Sequence, residues 1–143
     1  MGNNINRYEE IPHAAEIAAR IYGKDIDDLF ENAAFAMFDL VSEISELEGD
    51  EARVAVEAEG PDLEGLLVSF LNELLYQAFE RDLLFTELKI LSRDANGLRA
   101  EATGKKLIGN KEKIKREIKA ATYHDLEIKK DGDRYEVTIF FDV

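Results

Sequence analysis

Ile118–Lys130 reads IKAATYHDLEIKK and Arg134–Val143 reads RYEVTIFFDV, with Asp131-Gly132-Asp133 between them. An acidic-Gly turn flanked by two β-rich alternating runs predicts a hairpin. In the first run Ile118, Ala120, Thr122, His124, Leu126 and Ile128 form one mostly apolar face. Lys119, Ala121, Tyr123, Asp125, Glu127 and Lys129 form the other, turned to solvent. In the second run Tyr135, Val137, Ile139 and Phe141 share a face opposite Glu136, Thr138, Phe140 and Asp142. The pattern buries Thr122 and His124 as a polar pair. It also ties Asp142 and Val143 into the sheet, although chain ends usually fray.

Upstream, alternation and punctuation predict further elements. Arg7–Ile11 and Glu16–Tyr22 form two short strands around His13-Ala14-Ala15, with Pro12 ending the first and Gly23 the second. Asp25 is a suitable N-cap, and apolar residues recur at helical spacing from Ile26 to Val41, predicting a helix over Asp25–Val41. Ser42–Asp50 reads as loop and Arg53–Glu59 as strand. Gly60-Pro61-Asp62 opens a second helix, Asp62–Glu80. Its wide apolar arc predicts the more deeply buried of the two. Leu83–Ser92 and Leu98–Lys106 flank Asp94-Ala95-Asn96-Gly97, a second hairpin with a favoured Asn-Gly pair. Lys111–Glu117 reads as a short helix. The fold class is α+β: two amphipathic helices packed on a mostly antiparallel sheet, in a single domain spanning 1–143.

Composition narrows the function classes. No run approaches the roughly 18–20 apolar residues that span a bilayer. The N-terminal stretch has neither a hydrophobic signal core nor a basic cluster. Cysteine is absent, which excludes disulfides, thiolate nucleophiles and Cys-type zinc sites. These features point to the cytoplasm. A net charge of −13 argues against a broad nucleic-acid surface. One stretch runs the other way: Lys105, Lys106, Lys111, Lys113, Lys115, Arg116 and Lys119, offset by Glu112 and Glu117. It reads as a solvated loop or short helix, or as an electrostatic contact to RNA or an acidic partner.

Phosphate-cradling glycine loops and a G-x-S-x-G elbow are missing. Of the two histidines, His124 sits beside Asp125, but neighbours in a strand point to opposite faces, so they do not form an evident dyad. Asp142 follows an apolar strand and is a candidate metal ligand. Carboxylates without thiols suit hard cations such as Ca²⁺ or Mg²⁺.

At these residues the chain resembles the archease family. The likeness runs through Tyr8-Glu9-Glu10-Ile11-Pro12-His13-Ala14-Ala15-Glu16, which is similar to the family's H-T-A-D opening, and Tyr22-Gly23. It continues through Leu29–Ala34, Ser69–Tyr76, Leu84-Phe85, Lys119–His124 and the closing Phe141-Asp142-Val143. Glu16 stands where the family has Asp, and Ala14 where it has Thr. The resemblance implies a small α+β protein that is not itself an enzyme. It implies an activator, or chaperone-like cofactor, of the RtcB-type tRNA-splicing RNA ligase, which joins RNA ends with GTP and Mn²⁺. The activator promotes ligase guanylation and multiple turnover in tRNA splicing and RNA repair, and RNA is met mainly through the partner complex. It further implies a divalent-metal site built from Glu16 and Asp142, with the Val143 main chain or carboxylate as a further oxygen donor. Ca²⁺ is the expected ion, with Mg²⁺ or Mn²⁺ as alternatives, and His13, Thr122, His124 and Lys119 support the site. An alternative is a chaperone-like modulator of a tRNA methyltransferase or another tRNA-processing enzyme. A metal-dependent hydrolase using His124, Glu16 and Asp142 is the third reading, and the sequence offers it no nucleophile or oxyanion donor.

Overall fold

The computed structural model describes residues 7–11 and 16–143. The hairpin that decides the fold is present, and its second arm is the organising strand. β1 (Tyr8–Ile11) pairs with β2 (Ile17–Gly23), and β2 pairs with β8 (Arg134–Asp142), all antiparallel. β8 also carries β6 (Ala120–Ala121) and β7 (Lys129–Asp131). A second antiparallel sheet has the order β3 (Glu51–Glu59), β5 (Gly97–Lys106), β4 (Leu83–Arg93). Among the described residues, two long helices, α1 (Ile26–Val41) and α2 (Leu63–Arg81), complete the layers. No helix of the described residues is long and apolar enough to cross a membrane.

Alternation along β8 is as the sequence predicts: Val137, Ile139 and Phe141 are buried. The hairpin turn needs a left-handed residue, and Gly132 supplies it at φ +68°. The first arm departs from expectation. Instead of one strand from Ile118 to Lys130, the chain makes two short strands around a turn in which Asp125 takes φ +47°. That turn moves the chain off the alternating pattern. His124 is therefore exposed and Thr122 half-buried, where the sequence pattern predicted a buried pair.

α1 is capped by the Asp25 carboxylate, which accepts from the Asp28 amide at 2.7 Å. Gly23 lets β2 meet this helix closely, since a Cβ there would lie 2.4 Å from the Leu29 nitrogen. α1 packs on β2 of the first sheet and on β4 of the second. Covered from two sides, it buries ten residues, against eight for the longer α2. This reverses the predicted order: α2 has the longer apolar stripe, but Tyr76 and Phe79 on it face solvent. Phe30 of α1 stacks on Phe70 of α2, with ring centroids 6.2 Å apart.

The 94–97 turn also differs in mechanism. The Asp94 amide donates to the Gly97 carbonyl at 2.9 Å, so Ala95 and Asn96 form the centre. The Asp94 carboxylate accepts from the amides of Asn96 and Gly97. The Asn96 side chain then bonds the carbonyls of Gly60 and Pro61, joining this turn to the entry of α2.

Residues 107–119 form a strap, not the predicted helix. A single 3₁₀ turn, Lys111–Lys113, is followed by extended chain that runs past the end of α1. α1 has no basic residue in its own last turn. The strap provides one: Arg116 Nη1 donates to the Leu40 carbonyl at 2.6 Å, and the Lys115 amide to the Val41 carbonyl at 2.7 Å. Lys113 Nζ bonds the Glu46 carbonyl and Lys105 Nζ the Gly49 carbonyl. Much of the basic cluster is thus turned inward onto main-chain oxygens. Arg116→Ala is expected to lower stability by about 1.5–3 kcal/mol, the range for hydrogen bonds to a charged group, read from the urea midpoint at unchanged slope.

Candidate functional site

The register of β2 on β8 sets Ile17 against Phe141 and Ala18 against Phe140. The ladder ends there, with Glu16 the residue just before β2 and Asp142 the last residue of β8. Directly opposed residues of an antiparallel pair lie on the same side. Ala18 and Phe140 therefore share the outer side of the sheet, away from the core face of Ile139 and Phe141, and Glu16 reaches that side through His124, whose ring lies on Phe140. Asp142 is exposed, and the Glu16 side chain is 19% exposed.

β6 frames this end from the other side. Ala120 pairs with Asp142 and Ala121 with Phe141. The Lys119 amide donates to the Asp142 carbonyl at 2.8 Å, while its side chain faces solvent. The Thr122 hydroxyl donates to the Phe140 carbonyl at 3.0 Å and accepts from the His124 amide at 3.3 Å. That hydroxyl is committed to fixing the turn and does not address the imidazole. The His124 ring lies on Phe140, with centroids 4.5 Å apart and planes 25° apart. Its Nδ1 stands 3.5 Å from Glu16 Oε1 and its Nε2 3.2 Å from Asp125 Oδ2. The left-handed turn at Asp125 brings that carboxylate back beside its neighbour, so the sequence reasoning that kept His124 and Asp125 on opposite faces does not hold. His124 is thereby held between two acids and against a ring, in reach of Glu16.

Asn72, which carries no site motif in the sequence, governs this end. On α2, its Oδ1 accepts from the Ala121 amide at 2.8 Å and its Nδ2 donates to the Ala121 carbonyl at 3.1 Å. One side-chain amide takes the place of a strand on the outer edge of β6. A lone Asn in an apolar helix stripe was the available signal, and nothing nearby in sequence shows its partner.

Among the described residues, no group of three or more His, Cys, Asp or Glu side chains is placed to hold a metal. Glu16 and Asp142 would offer two carboxylates, and the Val143 main chain a further oxygen, to an ion at this end of β8. An all-oxygen set of this kind suits a hard cation that keeps part of its water, as Ca²⁺ and Mg²⁺ do. His13, predicted to support the site, lies outside the described residues.

The fold and site together define a small α+β domain that presents acids, a histidine and main-chain oxygens at the end of a central strand. The description "Archease protein family" belongs to the family model that matches residues 8–143. Protein archease of Methanosarcina barkeri is 37% identical over 147 residues, covering 100% of both chains. Protein archease of Pyrococcus abyssi is 40% identical over 132 residues, covering 90% of this chain and 92% of its own. The solution structure of Methanobacterium thermoautotrophicum protein 1598 superposes with a TM-score of 0.68 at 28% identity, covering 96% of this chain and 99% of that one. The crystal structure of a Thermotoga maritima archease, described as a possible chaperone, shares the fold with a TM-score of 0.61 at 21% identity, over 94% of this chain and 96% of that one. The chain belongs to the archease family.

Proposed function

We propose that this protein is a non-catalytic activator of an RtcB-type RNA ligase, promoting guanylation and repeated turnover, and that its strand-end carboxylates hold a divalent cation while it acts. The observation that supports this reading is the β2–β8 register, which ends at Ile17 opposite Phe141 and leaves Glu16 and Asp142 as the next residues out at the same end of the sheet. Two opposed carboxylates repel one another, and a bound cation turns that repulsion into cohesion. When bound, the ion supplies positive charge and open coordination positions at the tip of β8. Glu16 and Asp142 would hold it, with the Val143 main chain adding an oxygen. His124 orients Glu16 through the Nδ1 contact, and Phe140 keeps the ring in place. Family membership over nearly the whole chain is consistent with a partner-directed role. The Thermotoga maritima relative's description as a possible chaperone supports action on another protein over action on a substrate of its own.

The test is a ligase reaction with GTP and a divalent ion, run under single-turnover conditions until it stalls. Adding this protein in substoichiometric amount is expected to restore multiple turnover, read as ligated RNA per ligase. Unchanged product at every ratio, with a ligase from the same source, would refute the reading.

A further inference from the structure

The two edges of the second sheet are finished differently. β4 is broken by two register shifts, and the Glu31 carboxylate accepts from the Ile90 amide at 2.9 Å. Irregularities and occupied amides of this kind keep an edge from adding a strand. β3 has neither. It is nine residues long, pairs with β5 without a break, and contains no proline, glycine or lysine. Among the described residues no strand pairs with its other side.

One bond fixes the direction of its main-chain groups. The Gly60 amide donates to the Asn96 carbonyl at 3.0 Å, just past the Glu59–Gly97 pair. Bonded pairs alternate along an antiparallel ladder, so Val54, Val56 and Ala58 bond β5. Arg53, Ala55 and Glu57 then turn their amides and carbonyls outward, with Glu51 and Glu59 at the ends of the row. All five of these residues are exposed. Three are acids and one is a cation. At the Glu59 end the edge opens on a hollow of about 580 Å³, whose charged lining is Glu57, Glu59, Glu73, Asp94 and Arg99. Arg99, its one cation, is 3.7 Å from Glu57 in a solvent-exposed pair.

We propose that β3 takes up an extended basic segment of a protein partner as a fourth, antiparallel strand of this sheet. Lysine or arginine of that segment faces Glu51, Glu57 and Glu59, and an acid faces Arg53. Main-chain bonds hold the added strand, and the row of charges sets its register. The net charge of −13 draws such a segment in.

Other occupants fit less well. A second copy, pairing β3 with β3 about Ala55, sets Arg53 against Glu57 twice but also Glu51 against Glu59 twice, and it brings a further charge of −13. RNA meets acids where it needs cations. The assignment uses neither the strand-end carboxylates nor the ligase.

Hydrogen exchange of the free, dilute protein tests the edge itself. The amides of Arg53, Ala55 and Glu57 should exchange roughly tenfold faster, or more, than those of Val54 and Val56. Fluorescein-labelled peptides of the length of β3 then test the occupant by anisotropy against the full chain. One carries lysine opposite Glu51, Glu57 and Glu59, glutamate opposite Arg53, and valine at alternate positions. Its twin has the charges exchanged, and a third peptide is the first with N-methyl groups on the amides that face β3. The basic peptide is expected to bind roughly tenfold tighter than its twin and to slow exchange at Arg53, Ala55 and Glu57. N-methylation should abolish binding. Proline is tolerated at an edge position whose nitrogen faces outward, so Ala55→Pro should leave the β5 ladder intact and abolish binding too. Glu57→Lys with Glu59→Lys should reverse the preference between the peptides. Slow exchange at Arg53, Ala55 and Glu57 in the dilute free protein overturns the proposal. So does absence of basic-peptide binding, equal binding of the twin or the N-methylated peptide, or indifference to both variants. Protection of these amides that grows with protein concentration, without peptide, assigns the edge to a second copy and overturns it as well.

Discussion

Asp142→Ala is expected to abolish ligase activation and to remove calorimetric binding of Ca²⁺, Mg²⁺ and Mn²⁺, while the melting temperature in metal-free buffer stays close to that of the parent. Asp142 is exposed, and its structural bonds are made by its main chain: the carbonyl accepts from Lys119, and the residue pairs with Ala120. Alanine keeps both. What is lost is one of the two carboxylates proposed to hold the ion, and with it half of the side-chain charge that would attract it. Glu16→Asp shortens the side chain by one methylene while keeping the carboxylate and should preserve or strengthen binding. The two measurements separate the possibilities. Parent-like calorimetry in Asp142→Ala would place the ion elsewhere, and parent-like activation would show that the ion plays no part in function.

Asn72→Leu carries the second large effect. Leucine fills the volume but offers neither donor nor acceptor, so the Ala121 amide and carbonyl lose their partners together. Ala121 is 4% exposed, which keeps water from replacing both bonds. Each unpaired group costs about 1–3 kcal/mol, so the total is a substantial fraction of the roughly 5–15 kcal/mol that holds a domain folded. Chemical denaturation should show the loss as a lower midpoint. Hydrogen exchange should rise first in residues 119–124, before the 51–106 region responds. Asn72→Asp keeps the acceptor and removes the donor, so it is expected to fall between parent and Asn72→Leu. Uniform exchange across the chain in Asn72→Leu would mean that Asn72 acts on global packing and not on the frame of the site.

These residues show where sequence legibility ends. Both helices were readable because periodicity and caps are local: Asp25 and Asp62 announce their starts, and the structure has the helices within a residue of the predicted limits. β8 was readable because alternation persists through nine residues. The opposite arm was not, because a single left-handed residue, Asp125, undoes the pattern, and although Asp takes that conformation several-fold more often than most non-glycine residues, it remains uncommon. The strap was misread as a helix because its partners, the carbonyls of Leu40 and Val41, lie far back in the chain. Of the site, Glu16 and Asp142 came from motif order, and the β2–β8 register brings the ends of their two strands together. The His124–Asp125 contact and the Asn72 bridge were not legible, since each depends on a turn or a helix placement that local sequence does not encode.

The position of β8 has a consequence for how the molecule is made. The sheet of β3, β4 and β5 and the helix α2 come from one continuous stretch, residues 51–106, so they can form as soon as that stretch leaves the ribosome. The other sheet is different. Its β2 meets β8 only after nearly the whole chain has been synthesised, and pairings of such long separation form slowly. Until then β2 presents Ala19 and Ile21, both fully buried in the finished molecule, without their cover from Val137 and Ile139. A nascent chain therefore passes through an interval in which half of it is folded and the other half is sticky, and the acidic strand end is assembled last.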